Sequence, residues 1–197
     1  TVDFSAAGVS DAVGGIITGN ALTTNMQAID AKDADVNVTI TGTVVVDANT
    51  ATALNVLRDN TNGTTGEVTA TINGNSAVLA TLNAANASDS ELTITVNDAT
   101  TADNGALIAA ATDVATVAFA GGVTDSFAQL TNGTAVSAEM QAIDAKDANV
   151  NVIVNDTIGT ASANNVTALN ALMGATTGTV TATVNGNSAI LGQLQAT

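Results

Sequence analysis

Apolar residues alternate with threonine in three stretches of the chain: Val68-Thr69-Ala70-Thr71-Ile72, Leu92-Thr93-Ile94-Thr95-Val96 and Val180-Thr181-Ala182-Thr183-Val184. A period of two marks a strand with one buried face. Val36/Val38/Ile40, Ala115/Val117/Phe119 and Val150/Val152/Val154 predict further strands, and Val2/Phe4 looks like the remainder of another. After each strand the period changes. Leu54/Leu57, Leu79/Leu82, Leu107 with Ala110/Ala111, Phe127/Leu130, Val136/Met140/Ile143 and Leu169/Leu172 are spaced by three and four, which puts them on one face of short helices. Asn75/Ser76, Thr100/Thr101, Thr124/Asp125 and Asn187/Ser188 are suited to cap those helices. Asn-Gly at 73–74 and 185–186 is a hairpin signal in other settings. Here a helical pattern follows each pair rather than a second alternating run, so the reading is strand, loop, helix, next strand.

A long internal repeat overlies this pattern. Met26-Gln27-Ala28-Ile29-Asp30-Ala31-Lys32-Asp33-Ala34-Asp35-Val36 recurs 114 residues later as the eleven residues from Met140 to Val150, with Asp35 alone changed, to Asn149. Thr1-Val2-Asp3-Phe4 matches Thr116-Val117-Ala118-Phe119, and residues 69–77 match residues 181–189. The domain expectation is one repetitive unit over 1–197, with 1–115 a first copy and 116–197 a partial second. Successive βα units imply parallel strands with right-handed crossovers. Strand starts about 23 to 35 residues apart suit the coils of a solenoid. The expected fold is therefore an α/β solenoid of βα repeats, leucine-rich-repeat-like but without that consensus. It has six or seven coils, a parallel sheet on one side and short helices on the other.

Composition narrows the chemistry. The 197 residues include no Cys, His, Pro, Trp or Tyr, and 3 basic residues stand against 18 acidic ones, a net charge of −15. Hydrophobic residues still make up 46% of the chain, so it carries enough apolar surface to fold. Without Cys and His there is no thiol nucleophile, imidazole base or zinc site. Lys32, Arg58 and Lys146 are too few to neutralise a nucleic-acid backbone. No apolar run approaches the roughly 20 residues of a membrane span. An acidic pair for glycoside hydrolysis would lack the aromatic residues that usually line a pocket. The expectation is a protein that is not an enzyme, does not bind nucleic acid and does not insert into a membrane. About ten prolines would be ordinary at this length, and their absence suits stacked strands that need every N–H.

Three sets of residues are candidate sites. Asp30, Asp33 and Asp35, with Asn37 nearby, and their copies Asp144 and Asp147, with Asn149 and Asn151, are the densest oxygen-ligand cluster, and calcium is the cofactor they would hold. Their helical register and the absence of an EF-hand pattern favour a solvated helix end. Asn73, Asn97, Asn155 and Asn185 each follow a strand, where stacked amides would form a ladder between coils. Thr39, Thr41, Thr69, Thr71, Thr93, Thr95, Thr181 and Thr183 would form an outward hydroxyl array, spaced about 6.7 Å along the strands and about 4.8 Å across them. Thr also simply suits an exposed strand face. Six Asn-x-Ser/Thr sequons, at Asn37, Asn62, Asn86, Asn132, Asn155 and Asn165, are what this composition yields by chance.

The words at 180–191 and 92–100, Val-Thr-Ala-Thr-Val-Asn-Gly-Asn-Ser-Ala-Ile-Leu and Leu-Thr-Ile-Thr-Val-Asn-Asp-Ala-Thr, resemble those of giant repeat proteins of bacterial, especially cyanobacterial, cell surfaces. The composition is similar to that of large acidic proteins exported by type I secretion. The resemblance implies an extracellular structural or adhesive role, with no catalytic residues to carry over. The partners it implies are further copies, joined end to end or laterally, or flanking repeats of a longer chain. A ligand-binding face for ice or glycans on the Thr array, and a viral fibre segment, are the alternative readings.

Overall fold

A computed structural model describes residues 8–60, 66–85, 90–114 and 116–195. The expected strand at Val2/Phe4, Ala115 and the sequons at Asn62 and Asn86 lie outside them.

The repeat runs deeper than its identical residues. The first copy reads β1 (Val9–Ala12), α1 (Val13–Ile16), β2 (Ile17–Thr18), β3 (Ala21–Leu22), α2 (Thr24–Asp30), β4 (Val38–Val46), α3 (Ala48–Asn60), β5 (Val68–Gly74) and α4 (Ser76–Leu79). Three further elements follow: β6 (Ser90–Val96), α5 (Ala102–Ala110) and β7 (Val117–Phe119). The nine elements then return in the same order: β8 (Val123–Asp125), α6 (Phe127–Leu130), β9 (Thr131–Asn132), β10 (Ala135–Val136), α7 (Ala138–Asp144), β11 (Val152–Thr160), α8 (Ala163–Ala175), β12 (Val180–Asn185) and α9 (Ser188–Leu191). Contacts divide the chain into two compact units. One comprises residues up to Asn97 with Leu107–Val117, the other Asp98–Ala106 with Ala118–Thr197.

The architecture is mixed α/β with parallel sheets, as the alternating pattern requires. In the first sheet the strand order β1-β4-β5-β6-β7 follows the chain, and the pairs β1–β4, β4–β5 and β5–β6 are parallel. The second sheet, β8-β11-β12, is parallel as well. Inward residues of the first sheet (Val38, Ile40, Val68, Ile72, Leu92, Ile94) are buried, as are Leu54, Leu57 and Leu79 of the helices. Each such side chain removed from water is worth about 1.5–3 kcal/mol, so these rows carry the fold.

The rejected hairpins at Asn73 and Asn185 are absent: β5 and β12 each run into a loop and then a helix. The hairpins lie elsewhere. β2 and β3 pair antiparallel around Gly19, and β9 and β10 around Gly133, with both glycines at positive φ (58° and 65°), where L side chains are strained. Val136 therefore sits in β10 and not on a helix with Met140. The Ser137 hydroxyl accepts from the Met140 N–H at 3.2 Å and starts α7 one residue later. α3 lies against the β2–β3 hairpin and α8 against β9–β10. The cap of α6 is Ser126, not Thr124 or Asp125, which belong to β8. Thr101 and Asn187 do cap as expected, accepting from Asn104 and Ile190 N–H groups at 3.3 and 3.0 Å.

Candidate functional site

The acidic cluster sits where α2 ends. Asp33 Oδ1 accepts from the Asp35 N–H at 3.2 Å, and in the second copy Asp147 Oδ1 accepts from the Asn149 N–H at the same distance. Asp147 Oδ2 also accepts from the Phe119 N–H at 2.9 Å, which fixes the end of β7. Asp30 and Asp144 close their helices; burial pushes the Asp30 carboxyl above its ordinary value. Among the described residues no three acidic side chains gather as a metal ion would need. Asp30, Asp33, Asp35, Asp144 and Asp147 form no such group among the described residues. The turn after each helix aims Asp33 and Asp147 at backbone N–H groups, the helix-end setting that the register favoured.

The amide ladder exists at other asparagines. Asn37 Oδ1 accepts from the Glu67 N–H and Asn151 Oδ1 from the Thr179 N–H, each at 2.9 Å, linking one strand to the entry of the next. Asn55 on α3 brackets the segment after α4, donating to the Thr81 carbonyl and accepting from the Asn83 N–H, both at 2.8 Å. Asn170 on α8 repeats the bracket with Gln193 and Gln195, both at 3.0 Å. The expected set, Asn73, Asn97, Asn155 and Asn185, does not do this. Asn73 Oδ1 is buried without a partner among the described residues, and Asn97 and Asn185 are joined to neighbouring strands through backbone atoms, to Gly74 and Ala161. Asn155 is exposed in β11. The repeated words Thr-Ala-Leu-Asn at 52–55 and 167–170 were the available signal for the true bracket.

The threonines do line the outward strand faces. Register sets Thr43, Thr71 and Thr93 side by side across β4, β5 and β6, with Thr39, Thr69 and Glu91 in the next row and Val45, Asn73 and Thr95 in the one beyond. Thr41 falls in the register shift between Ile40 and Thr43 and leaves the array. In the second sheet Thr181 faces Ile153 and Thr183 faces Thr157. Val45 and Ile153 are 72% and 45% exposed, so the hydroxyl surface carries apolar interruptions in both sheets.

Carboxylates crowd Glu67 at the entry to β5. Burial, and then the facing Glu91 carboxylate, raise the Glu67 carboxyl above its ordinary value. Asp47 is the opposite case: the N–H and hydroxyl of Thr50, each 2.7 Å from Oδ1, hold it below the usual range as it caps α3.

A polar cleft of about 300 Å³ opens in the second unit, lined by Asp103, Gln129, Thr131, Asn132, Ser137 and Glu139 with two alanines. Ser137 is occupied by its cap bond, and the Thr131 hydroxyl donates to the Phe127 carbonyl at 2.7 Å. The remaining polar groups that line it are the carboxylates Asp103 and Glu139 and the amides Gln129 and Asn132. No helix among the described residues is long and apolar enough to cross a membrane. The chain matches no protein-family model, no curated protein and no solved structure.

Proposed function

We propose that the chain is a non-enzymatic structural segment of an extracellular repeat protein, a βα solenoid extended by adding coils, of the kind found in giant bacterial surface proteins. The observation that carries this reading is the return of nine elements in one order, with the same side-chain bonds at the same places. Asn37 and Asn151, Asn55 and Asn170, and Gln27 and Gln141 make equivalent bonds to backbone 112 to 115 residues apart. Selection for a reaction centre concentrates unusual residues at one place, whereas here the specific interactions recur once per copy and join neighbouring coils. That is the economy of a solenoid, in which each repeat is held by its neighbours. The surplus of acidic groups forms a solvated coat suited to keeping extended chains apart.

Small-angle X-ray scattering on chains carrying one, two and three tandem copies tests the architecture. A constant increment in maximum dimension at constant cross-section is expected; growth as a compact sphere would overturn it. Immunogold labelling of the source cells tests the role: label on surface filaments or a surface layer is expected, and label confined to the cell interior would refute it.

The row Thr43, Thr71 and Thr93 favours a second reading, a ligand face for ice or glycans. Thermal hysteresis no greater than buffer, with no retention on immobilised polysaccharide, would eliminate it. The interruptions at Glu91, Val45 and Ile153 make it the weaker one.

A further inference from the structure

We propose that the outer edge of β12 accepts one more coil, and that its occupant is a second copy of this chain's own segment 90–110. This rests on the repeat reading above. In the first copy β5 lies between β4 and β6, and Val68, Ile72 and Leu79 are wholly buried. In the second copy β12 pairs, among the described residues, with β11 alone. Its inward Val180, Ala182 and Val184, and Ile190, Leu191 and Leu194 after it, are only half-buried. These residues retain the apolar character of their counterparts Val68, Ala70, Ile72, Val78, Leu79 and Leu82. A strand that ends a sheet is normally protected by lysine, proline or a bulge on its free side. β12, Val-Thr-Ala-Thr-Val-Asn, has neither residue.

The first copy also says what covers such an edge. β6 pairs with β5 in parallel without a break, Val68 opposite Ser90, Ala70 opposite Leu92, Ile72 opposite Ile94 and Gly74 opposite Val96. Carried to the second copy, this register sets Leu92 beside Ala182 and Ile94 beside Val184, and it brings Thr93 into line with Thr183. One anchor differs. Arg58 donates to the Asn83 carbonyl at 2.7 Å and to the Ala111 carbonyl at 3.1 Å, tying α3 to the segment that covers it. Its counterpart on α8 is Met173, so the second edge holds its coil by apolar contact without that clamp.

The experiment is an extended chain in which residues 86–115 are repeated directly after Thr197, the point equivalent to residue 85. The control is the same extension with its copies of Leu92, Ile94 and Val96 changed to Ser. Hydrogen exchange at the amides of β12 is expected to slow by about tenfold or more in the extended chain and not in the control. Adding Met173→Arg to the extended chain is expected to slow it further. Equal exchange in extended chain and control, with β5 amides still protected, overturns the proposal. A scattering series that keeps its constant increment alongside that result would leave the solenoid reading standing, so the two failures are separable.

Discussion

The two copies of the repeat share a frame and differ in what is laid over it. Asn37, Asn55 and Gln27 keep their partners when they become Asn151, Asn170 and Gln141. Gly8 and Gly122 both take positive φ, 63° and 72°, where a Cβ would lie 2.7 Å from the Asn37 or Asn151 carbonyl oxygen. Some charged positions are exchanged: Asp47 gives way to Ser162 as helix cap, Arg58 to Met173 and Glu67 to Thr179, whereas Asp30, Lys32 and Asp33 are kept as Asp144, Lys146 and Asp147. What both copies keep is side-chain bonding to backbone, by amides and by Asp33 and Asp147, and apolar rows; what one copy loses is the Arg58 clamp and the Asp47 and Glu67 carboxylates. The repeated unit is therefore marked by its asparagines, its glycines and the carboxylates that bond backbone, while Arg58, Asp47 and Glu67 are additions in one copy.

The largest effect should separate the covered copy from the open one. Leu79→Ala empties a fully buried site and is expected to cost about 3 kcal/mol, while Leu191→Ala, at a half-buried one, should cost about 1 kcal/mol. Urea denaturation followed by NMR signals from each copy measures both; equal costs would mean that the end coil is already covered in solution. Next comes Arg58→Met, which gives the first copy the residue of the second. It leaves the Asn83 and Ala111 carbonyls without their charged donor and is expected to cost about 2 kcal/mol by the same measurement. A cost near zero would show that the clamp is dispensable and that the copies differ in name only.

Much of this frame was legible in the chain. Alternating apolar and Thr residues placed β5, β6 and β12, and the switch to spacings of three and four placed α3 and α8, because burial on one face imposes those periods directly; in α5 the expected face turned outward, with Leu107 exposed and Ile108 and Ala109 buried instead. The two-residue strands of the hairpins leave no period to detect, and Val136, apolar and four residues before Met140, fitted a helix equally well until Ser137 capped it. Side-chain amides do bond the backbone of neighbouring segments, at positions other than the expected ones. An Asn after a strand reads as a turn residue, whereas Asn55 and Asn170 sit inside helices, where sequence alone does not say which backbone lies opposite. The carboxylates of the repeated acidic word take backbone targets, the Asp35 and Phe119 N–H groups, that three-dimensional turns set and sequence spacing does not.

The asparagine brackets give a smaller, symmetric effect. Asn55→Ala and Asn170→Ala each remove two bonds to backbone at exposed positions and are expected to cost about 1 kcal/mol apiece, nearly equal between copies. Thermal denaturation of the two variants checks this. A marked inequality would break the claim that the brackets are the shared element.

The smallest effect is in pH, and it belongs to the first copy alone. Glu67, raised by burial and by Glu91, binds its proton more readily in the folded protein than in the unfolded chain, so acidification from neutral toward the ordinary carboxylate range should stabilise this copy slightly. Asp47 has the opposite sign. Its native value lies below the ordinary one, so its contribution is present above the unfolded pKa and disappears as pH falls through the depressed native pKa. The first copy should thus show a shallow stability maximum on the acid side of neutral and then a decline. The second copy has Thr179 and Ser162 at these positions and lacks both contributions. Glu67→Thr should reduce the rise, the remainder coming from Asp30, whose carboxyl burial also raises, and Asp47→Ser should remove the later fall. Urea midpoints for signals from the first copy, collected between about pH 7 and pH 3 across the range where carboxylates titrate, read both limbs. An identical pH profile in the two copies would show that their ionic differences are without energetic weight.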